Sequence, residues 1–389
     1  MNGTDVGSAD RISTPSSNPV ASAPGRIEFI GNHVDYNGGW VLGATIDRRV
    51  QVSLSRRSDA RIITRSRADV PEIATTLGAL RPRDGEEAWA NYPLGAAHVL
   101  RSKGLDLDTG FELTVSSQVP TGAGLSSSAA LVMATAIALV DAYGGAFDQE
   151  SLVQVGRAVE NDFVGVPCGV LDPAVIAFGG TDHLVRVDAG TESVVPVPFP
   201  KRTEFWIFET HEDHSLAASQ YEQRVRESAE ATKRARRRLV GVRTLTDIRP
   251  EQLDRLRGSL PDRLYRRARH VVREHARVRQ AVALLERGDL EAVGELLFES
   301  HESSRTDYEN STAALDFVVD RLRERDAVLG ARLTGAGFGG AVLGWTRSSF
   351  DGDDARALAS RYERAFDAEL SVRCCRPAPG ARAEDAPAL

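Results

Sequence analysis

Lysine is almost missing from this chain. Of its 48 basic residues only Lys103, Lys201 and Lys233 are lysine, and the other 45 are arginine. Chemistry that needs an amine, such as a Schiff base or a P-loop lysine, has three candidates in the whole sequence. Cysteine is scarce too. Cys168, Cys374 and Cys375 have neither metal-ligand nor redox spacing, which excludes a disulfide scaffold and favours a reducing compartment. Vicinal Cys374 and Cys375 read as two free thiols. Long apolar runs are absent as well. The longest, residues 129–140, is too short to span a bilayer, and the N-terminus lacks the apolar core of a secretory signal. A cytoplasmic chain with no membrane partner is expected. The net charge of −7 argues against a general nucleic-acid binder. The basic run 233–238 faces Glu222, Glu227 and Glu230 on one predicted helix and reads as a solvated face.

What is present is ordinary for a globular protein: 389 residues, 42% hydrophobic and 26% charged, enough for two or three domains. Residues 1–22 are rich in Ser, Asn, Gly and Asp and read as a loose tail. The Pro- and Ala-rich end from Arg376 onward reads likewise, with 383–389 as the tail proper. Between them lie alternating strand and helix signals. Ile27, Phe29 and Ile30 mark a strand, and Trp40 to Leu54 another. Phe111, Leu113 and Val115 alternate with polar residues, as in a half-buried strand. Residues 151–164 predict an amphipathic helix, and 176–187 short strands with glycines. Beyond Val195 the chain turns helical and arginine-rich. Leu264, Ala268, Val271, Val272, Val278, Val282 and Leu285 fall at helical spacing, with Gly288 as C-cap and Asp289 as the next N-cap. The fold class is α+β, in two domains over 23–195 and 196–382.

The strongest chemical signal is residues 120–130, Pro-Thr-Gly-Ala-Gly-Leu-Ser-Ser-Ser-Ala-Ala. A strand ends, Gly122, Ala123, Gly124 and Leu125 turn the chain, and Ser126, Ser127 and Ser128 open a helix. Glycines let backbone amides approach a ligand closely. The helix N-terminus offers free N–H groups to a phosphate, and the serines offer hydroxyls to phosphate or Mg²⁺. No lysine follows the glycines, so this is not a Walker A loop. A bare Gly-x-Gly-x-Ser would be read as a turn and an N-cap; the whole eleven-residue run is not.

Two further motifs flank it. One is Gly25-Arg26-Ile27-Glu28-Phe29-Ile30-Gly31-Asn32-His33-Val34-Asp35-Tyr36-Asn37; the other is Leu333-Thr334-Gly335-Ala336-Gly337-Phe338-Gly339-Gly340. With the stretches at 89–92, 164–172, 267–272 and 300–305, they resemble the galactokinases, from about Ala21 to Arg382. That family belongs to the GHMP kinases, with the homoserine, mevalonate and phosphomevalonate kinases. The resemblance implies a two-domain GHMP kinase fold: an N-terminal nucleotide domain like ribosomal protein S5 and a ferredoxin-like C-terminal domain. It implies Asp172 as catalytic carboxylate with Arg26 facing it, a Mg²⁺ pair at Ser127 and Glu160, and Trp89 and Tyr92 flanking adenine. It also implies sugar contacts from His33, Asp35, Tyr221 and the backbone at Gly169, with Asn32 in the loop that reads the sugar.

The expected reaction is transfer of the γ-phosphate of ATP, with Mg²⁺, to the anomeric hydroxyl of galactose or a related aldose. The partners are the sugar and ATP, in a monomer or homodimer. Three departures bear on the substrate. Galactokinases usually carry Glu where Asn32 stands, and a neutral Asn there is expected to tolerate a C6 carboxylate, as in galacturonate. Pro173 replaces a family Gln. Residues 209–214, Glu-Thr-His-Glu-Asp-His, replace an Asn-Ser-Asn-like stretch and read as a substrate-facing loop. A catalytically silent sensor on the same fold is the other reading; Ser126, Glu160, Asp172 and Arg26 are all present against it.

Overall fold

The alternation at Ile27 and Phe29 is that of a strand buried on both faces, and the whole of β1 (Val20–Ile30) is covered except at its first residue. It pairs antiparallel with β2 (Trp40–Arg56), a long strand that serves two neighbours. A computed structural model describes residues 18–166, 168–212 and 217–384 of the chain.

Around these strands the first sheet adds β3 (Arg61–Ser66), β4 (Ile73–Thr76), β5 (Phe111–Ser117), β6 (His183–Asp188) and β7 (Ser193–Pro198). Trp40 to Gly43 of β2 pair with β6, and Val50 to Arg56 pair with β5. Four helices accompany it: α1 (Asn91–Ser102), α2 (Ser127–Tyr143), α3 (Gln149–Ala158) and α4 (Leu171–Phe178). The α2 helix is apolar on nearly every face, and accordingly it lies inside, against β1, β2 and α1. A π-helical turn, Val159–Val164, continues α3 and aims Glu160 inward.

The second sheet has β8 (Thr203–Glu209), β9 (Val328–Thr334), β10 (Ala341–Arg347) and β11 (Ser371–Cys375) in the order β11-β8-β10-β9. Its helices are α5 (Ala217–Ala235), α6 (Asp262–Arg287), α7 (Leu290–Ser303), α8 (Ala313–Arg323) and α9 (Gly352–Phe366). Strand, helices, two strands, helix, strand is the split βαβ pattern expected of a ferredoxin-like unit. Gly288, at φ 75°, caps α6, and the Asp289 side chain caps α7 by accepting from Ala292 N at 3.2 Å.

The chain departs from its sequence reading in three places. Its ends are not loose where they meet the sheet: Val20 to Ser22 belong to β1, and β12 (Arg382–Glu384) pairs with them. Alternation is invisible in three residues, and the partner strand lies over 350 residues away, so no local signal announces this closure. Residues 176–178 finish α4 rather than a strand. The sheets change over between Pro198 and Thr203, slightly past the composition shift. Cys374 and Cys375 sit side by side on β11, where neighbours point to opposite faces, and both are free thiols.

Helix α7 lies so close to β9 that a Cβ at Gly294 would fall 1.9 Å from Leu329 O. Gly294→Ala must push the helix off the strand, and overpacking of this kind costs about 1–3 kcal/mol. A lowered calorimetric Tm is expected; an unchanged one would refute this packing.

Candidate active site

Arg26 and Glu28 are two residues apart on β1 and face one cavity of about 370 Å³. Arg26 reaches α4: its Nε donates to Asp172 Oδ1 at 2.6 Å and Nη2 to Oδ2 at 2.7 Å. Its Nη1 donates to Gly124 O at 2.7 Å, so a single guanidinium joins β1, α4 and the glycine loop. Burial works against the arginine's charge, but Asp172 more than offsets it, and Arg26 titrates above its ordinary value. The Ser126 hydroxyl also donates to Asp172. Ser126 takes φ 56°, a left-handed backbone that Gly124, at φ 69°, shares without strain. Residues 122–126 therefore form a tight loop over the open N-terminus of α2, with Asp172 beneath it.

Glu160 lies beyond this loop. Ser128 Oγ donates to its Oε1 at 3.3 Å, Oε2 is buried without a hydroxyl or amide donor among the described residues, and the Cys168 thiol stands against the carboxylate. Burial, then the charge of Asp172, pushes its carboxyl up. An orphaned carboxylate oxygen beside a hydroxyl is a hard donor set, which suits Mg²⁺ held by one or two protein groups and phosphates. The serine in contact is Ser128, not the Ser127 that the resemblance named. Tyr92, at the start of α1, stands near Ser128 and Glu160. Trp89 is oriented by donation from its indole to Pro71 O at 3.1 Å.

The other wall comes from the loop after β1. His33 is buried, and Nε2 lies 2.9 Å from Ala336 O, which can only accept. Nε2 therefore carries the proton, and Nδ1 accepts from Tyr36 OH at 2.9 Å. Burial holds His33 neutral, with its pKa lowered to about 3. Tyr36 in turn accepts from Tyr308 OH at 2.6 Å, and Tyr308 from Ser228 Oγ at 3.0 Å. Both nitrogens of His33 are thus committed, and it braces the loop. Tyr221 packs on His33 with ring centroids 5.5 Å apart and lines the cavity. From α6, Glu274 Oε1 accepts from the amides of Gly31 at 3.0 Å and Asn32 at 3.2 Å.

Asp35 also lines the cavity, beside Gly169, where a Cβ would come 2.7 Å from Asp35 Oδ2. Only glycine leaves that carboxylate its place. Asn32 is buried and fully engaged: Nδ2 donates to Glu28 Oε1 at 3.0 Å and Gly335 O at 2.7 Å, and Oδ1 accepts from Asn310 at 2.8 Å. The expectation that its amide meets a substrate's C6 group is therefore not supported by the geometry. His211 turns to Ser371 Oγ at 2.8 Å, and Glu209 to Arg373 at 2.7 Å, both on β11 and not among the cavity-lining residues. His214 lies outside the described residues, as do residues 1–17 and 385–389. Among the described residues no three His, Cys, Asp or Glu side chains cluster as a metal cage.

Comparison with known proteins fits this geometry. The chain matches the family models described as galactokinase galactose-binding signature over residues 12–56, GHMP kinases N terminal domain over 91–180 and GHMP kinases C terminal over 281–368. It is 36% identical to a galactokinase of Roseiflexus sp. (strain RS-1), covering 93% of this chain and 92% of the relative. This chain belongs to the galactokinase family. It is also 35% identical to a galactokinase of Thermotoga maritima, over 90% and 95% of the two chains. The crystal structure of Lactococcus lactis galactokinase complexed with galactose superposes with a TM-score of 0.90, at 32% identity over 95% of each chain. Methanococcus jannaschii mevalonate kinase shares the fold at a TM-score of 0.67 and 18% identity, over 92% and 98%. The chain is a sugar kinase, a transferase with GHMP kinase domains. Sequence reasoning missed Glu28 and the carbonyls of Gly335 and Ala336. Only the two-residue period from Arg26 could have pointed to Glu28.

Burial, then the charge of Glu28, raises the Asp35 pKa from 3.8 to about 7. The folded state then binds more protons than the unfolded one, so this group's contribution to stability is lost as pH rises toward 7. Asp35→Asn removes that loss. The Tm of the variant relative to the parent is expected to be more favourable at pH 8 than at pH 5; a pH-independent difference would contradict it.

Proposed function

We propose that this family member is an ATP- and Mg²⁺-dependent sugar 1-kinase acting on galactose. The observation that carries the reading is the Arg26–Asp172 fork set between the cavity and the N-terminus of α2. The galactose named for the Lactococcus lactis structure supports the choice of sugar.

The chemistry follows from the parts. The anomeric hydroxyl sits against Asp172, which accepts its proton as the oxygen attacks the γ-phosphorus. Arg26 orients that carboxylate by donating to both of its oxygens. Backbone amides of residues 122–128 and the open end of α2 take the phosphates, so that attacking and leaving oxygens lie in line. Much of the rate comes from holding two substrates together. Ser128 and Glu160 would hold Mg²⁺, which supplies charge neutralisation on the phosphates when bound. Trp89 and Tyr92 flank the adenine. Asp35, Gly169 and Tyr221 bound the sugar.

A coupled ADP-release assay over hexoses, uronic acids and pentoses should show turnover with galactose; no turnover with any of them overturns the reading. Asp172→Asn is expected to lower kcat by roughly 10²–10⁴-fold, with sugar affinity by calorimetry little changed. A parent-like kcat would remove Asp172 from the mechanism. Glu160→Gln should raise the Mg²⁺ concentration at half-maximal rate, and an unaltered Mg²⁺ dependence would exclude it as a ligand.

A further inference from the structure

Glu28 lines the cavity and has no part in the reaction described above. It follows Arg26 by two residues on β1, roughly 6–7 Å along the strand. With the anomeric hydroxyl at Asp172, Glu28 stands toward the far side of the sugar ring. One of its oxygens is fixed: Oε1 accepts from Asn32 Nδ2 at 3.0 Å and from Arg332 Nη1 at 3.1 Å. Arg332 is fully buried and is itself held by Ser300 Oγ at 3.1 Å from Nε. The Glu28 backbone is clamped by Thr334, whose Oγ1 accepts from Glu28 N at 3.1 Å. The other oxygen, Oε2, has no hydrogen-bond partner among the described residues. Asn32, by contrast, has spent both amide hydrogens.

We propose that Glu28 is a specificity-determining residue, whose free carboxylate oxygen accepts a substrate hydroxyl remote from C1 and excludes an acidic group there. A substrate carboxylate would be one more acid beside Glu28 and Asp35, forced to repel them or to take up a proton. The cavity therefore selects neutral aldoses over uronic acids, the reverse of what Asn32 suggests when read alone. This rests on the sugar-kinase reading, and its test separates the two.

The measurement is kcat/KM for galactose and for galacturonate in the parent, in Glu28→Gln, and in the double variant Glu28→Gln with Arg332→Met, which removes the buried charges together. The parent is expected to prefer galactose by at least about ten-fold, since like charges brought together cost several kcal/mol. Either variant should lower galactose kcat/KM mainly through its KM, leave the KM for ATP unmoved, and raise the galacturonate-to-galactose ratio by at least about ten-fold. A parent that uses galacturonate as well as galactose overturns the proposal without any variant. So does an unchanged ratio in a variant that still turns over galactose. A parent that phosphorylates no sugar defeats the kinase reading instead.

Discussion

One guanidinium holds the site together. Arg26 leaves β1, grips both oxygens of Asp172 on α4 and donates its remaining arm to the carbonyl of Gly124. Three segments far apart in sequence therefore meet at one charged fork. A buried arginine without its carboxylate, or the carboxylate without its arginine, would be strongly destabilising. The loop over α2 inherits its position from the same contact, because Gly124 and Ser126 both bind the pair.

The same strand ties the two sheets to one another. Glu28 meets Arg332 and Thr334 of β9, and Asn32 meets Asn310 and Gly335. Helix α6 answers from the other side, with Glu274 on the amides of Gly31 and Asn32 and His270 on the carbonyl of Asn32. The His270 nitrogen that faces that carbonyl must donate, and burial keeps the ring neutral, with a pKa lowered to about 4. The cavity is thus shaped by groups whose hydrogen bonds are already filled. Glu28 and Glu160 each keep one carboxylate oxygen outside these hydrogen bonds, beside the cavity-lining Asp35, Asp172 and Tyr221.

Much of this was legible from residues alone. The glycine-serine run before an apolar helix states a tight turn onto a helix N-terminus, and the structure forms that turn at residues 122–126 ahead of α2. Apolar spacing located α6 and its cap. What could not be read was which polar side chain faces inward and which is consumed. Asn32 looked like a sugar reader because the family resemblance places it in the loop that reads the sugar, but its amide is used by Glu28 and Gly335, the latter about 300 positions downstream. Ser127 and Ser128 are indistinguishable as letters; the turn of α2 brings Ser128 to Glu160. The closing strand β12 was missed because pairing with β1 is a long-range contact with no local periodicity.

The proposed reaction depends on which oxygen of the sugar is placed against Asp172. Phosphorus NMR of the product from galactose and ATP decides this through the proton to which phosphorus couples. Coupling to the anomeric proton is expected, with one ADP formed per sugar phosphate. Phosphate on any other hydroxyl, or ADP with free phosphate and no sugar ester, would contradict it.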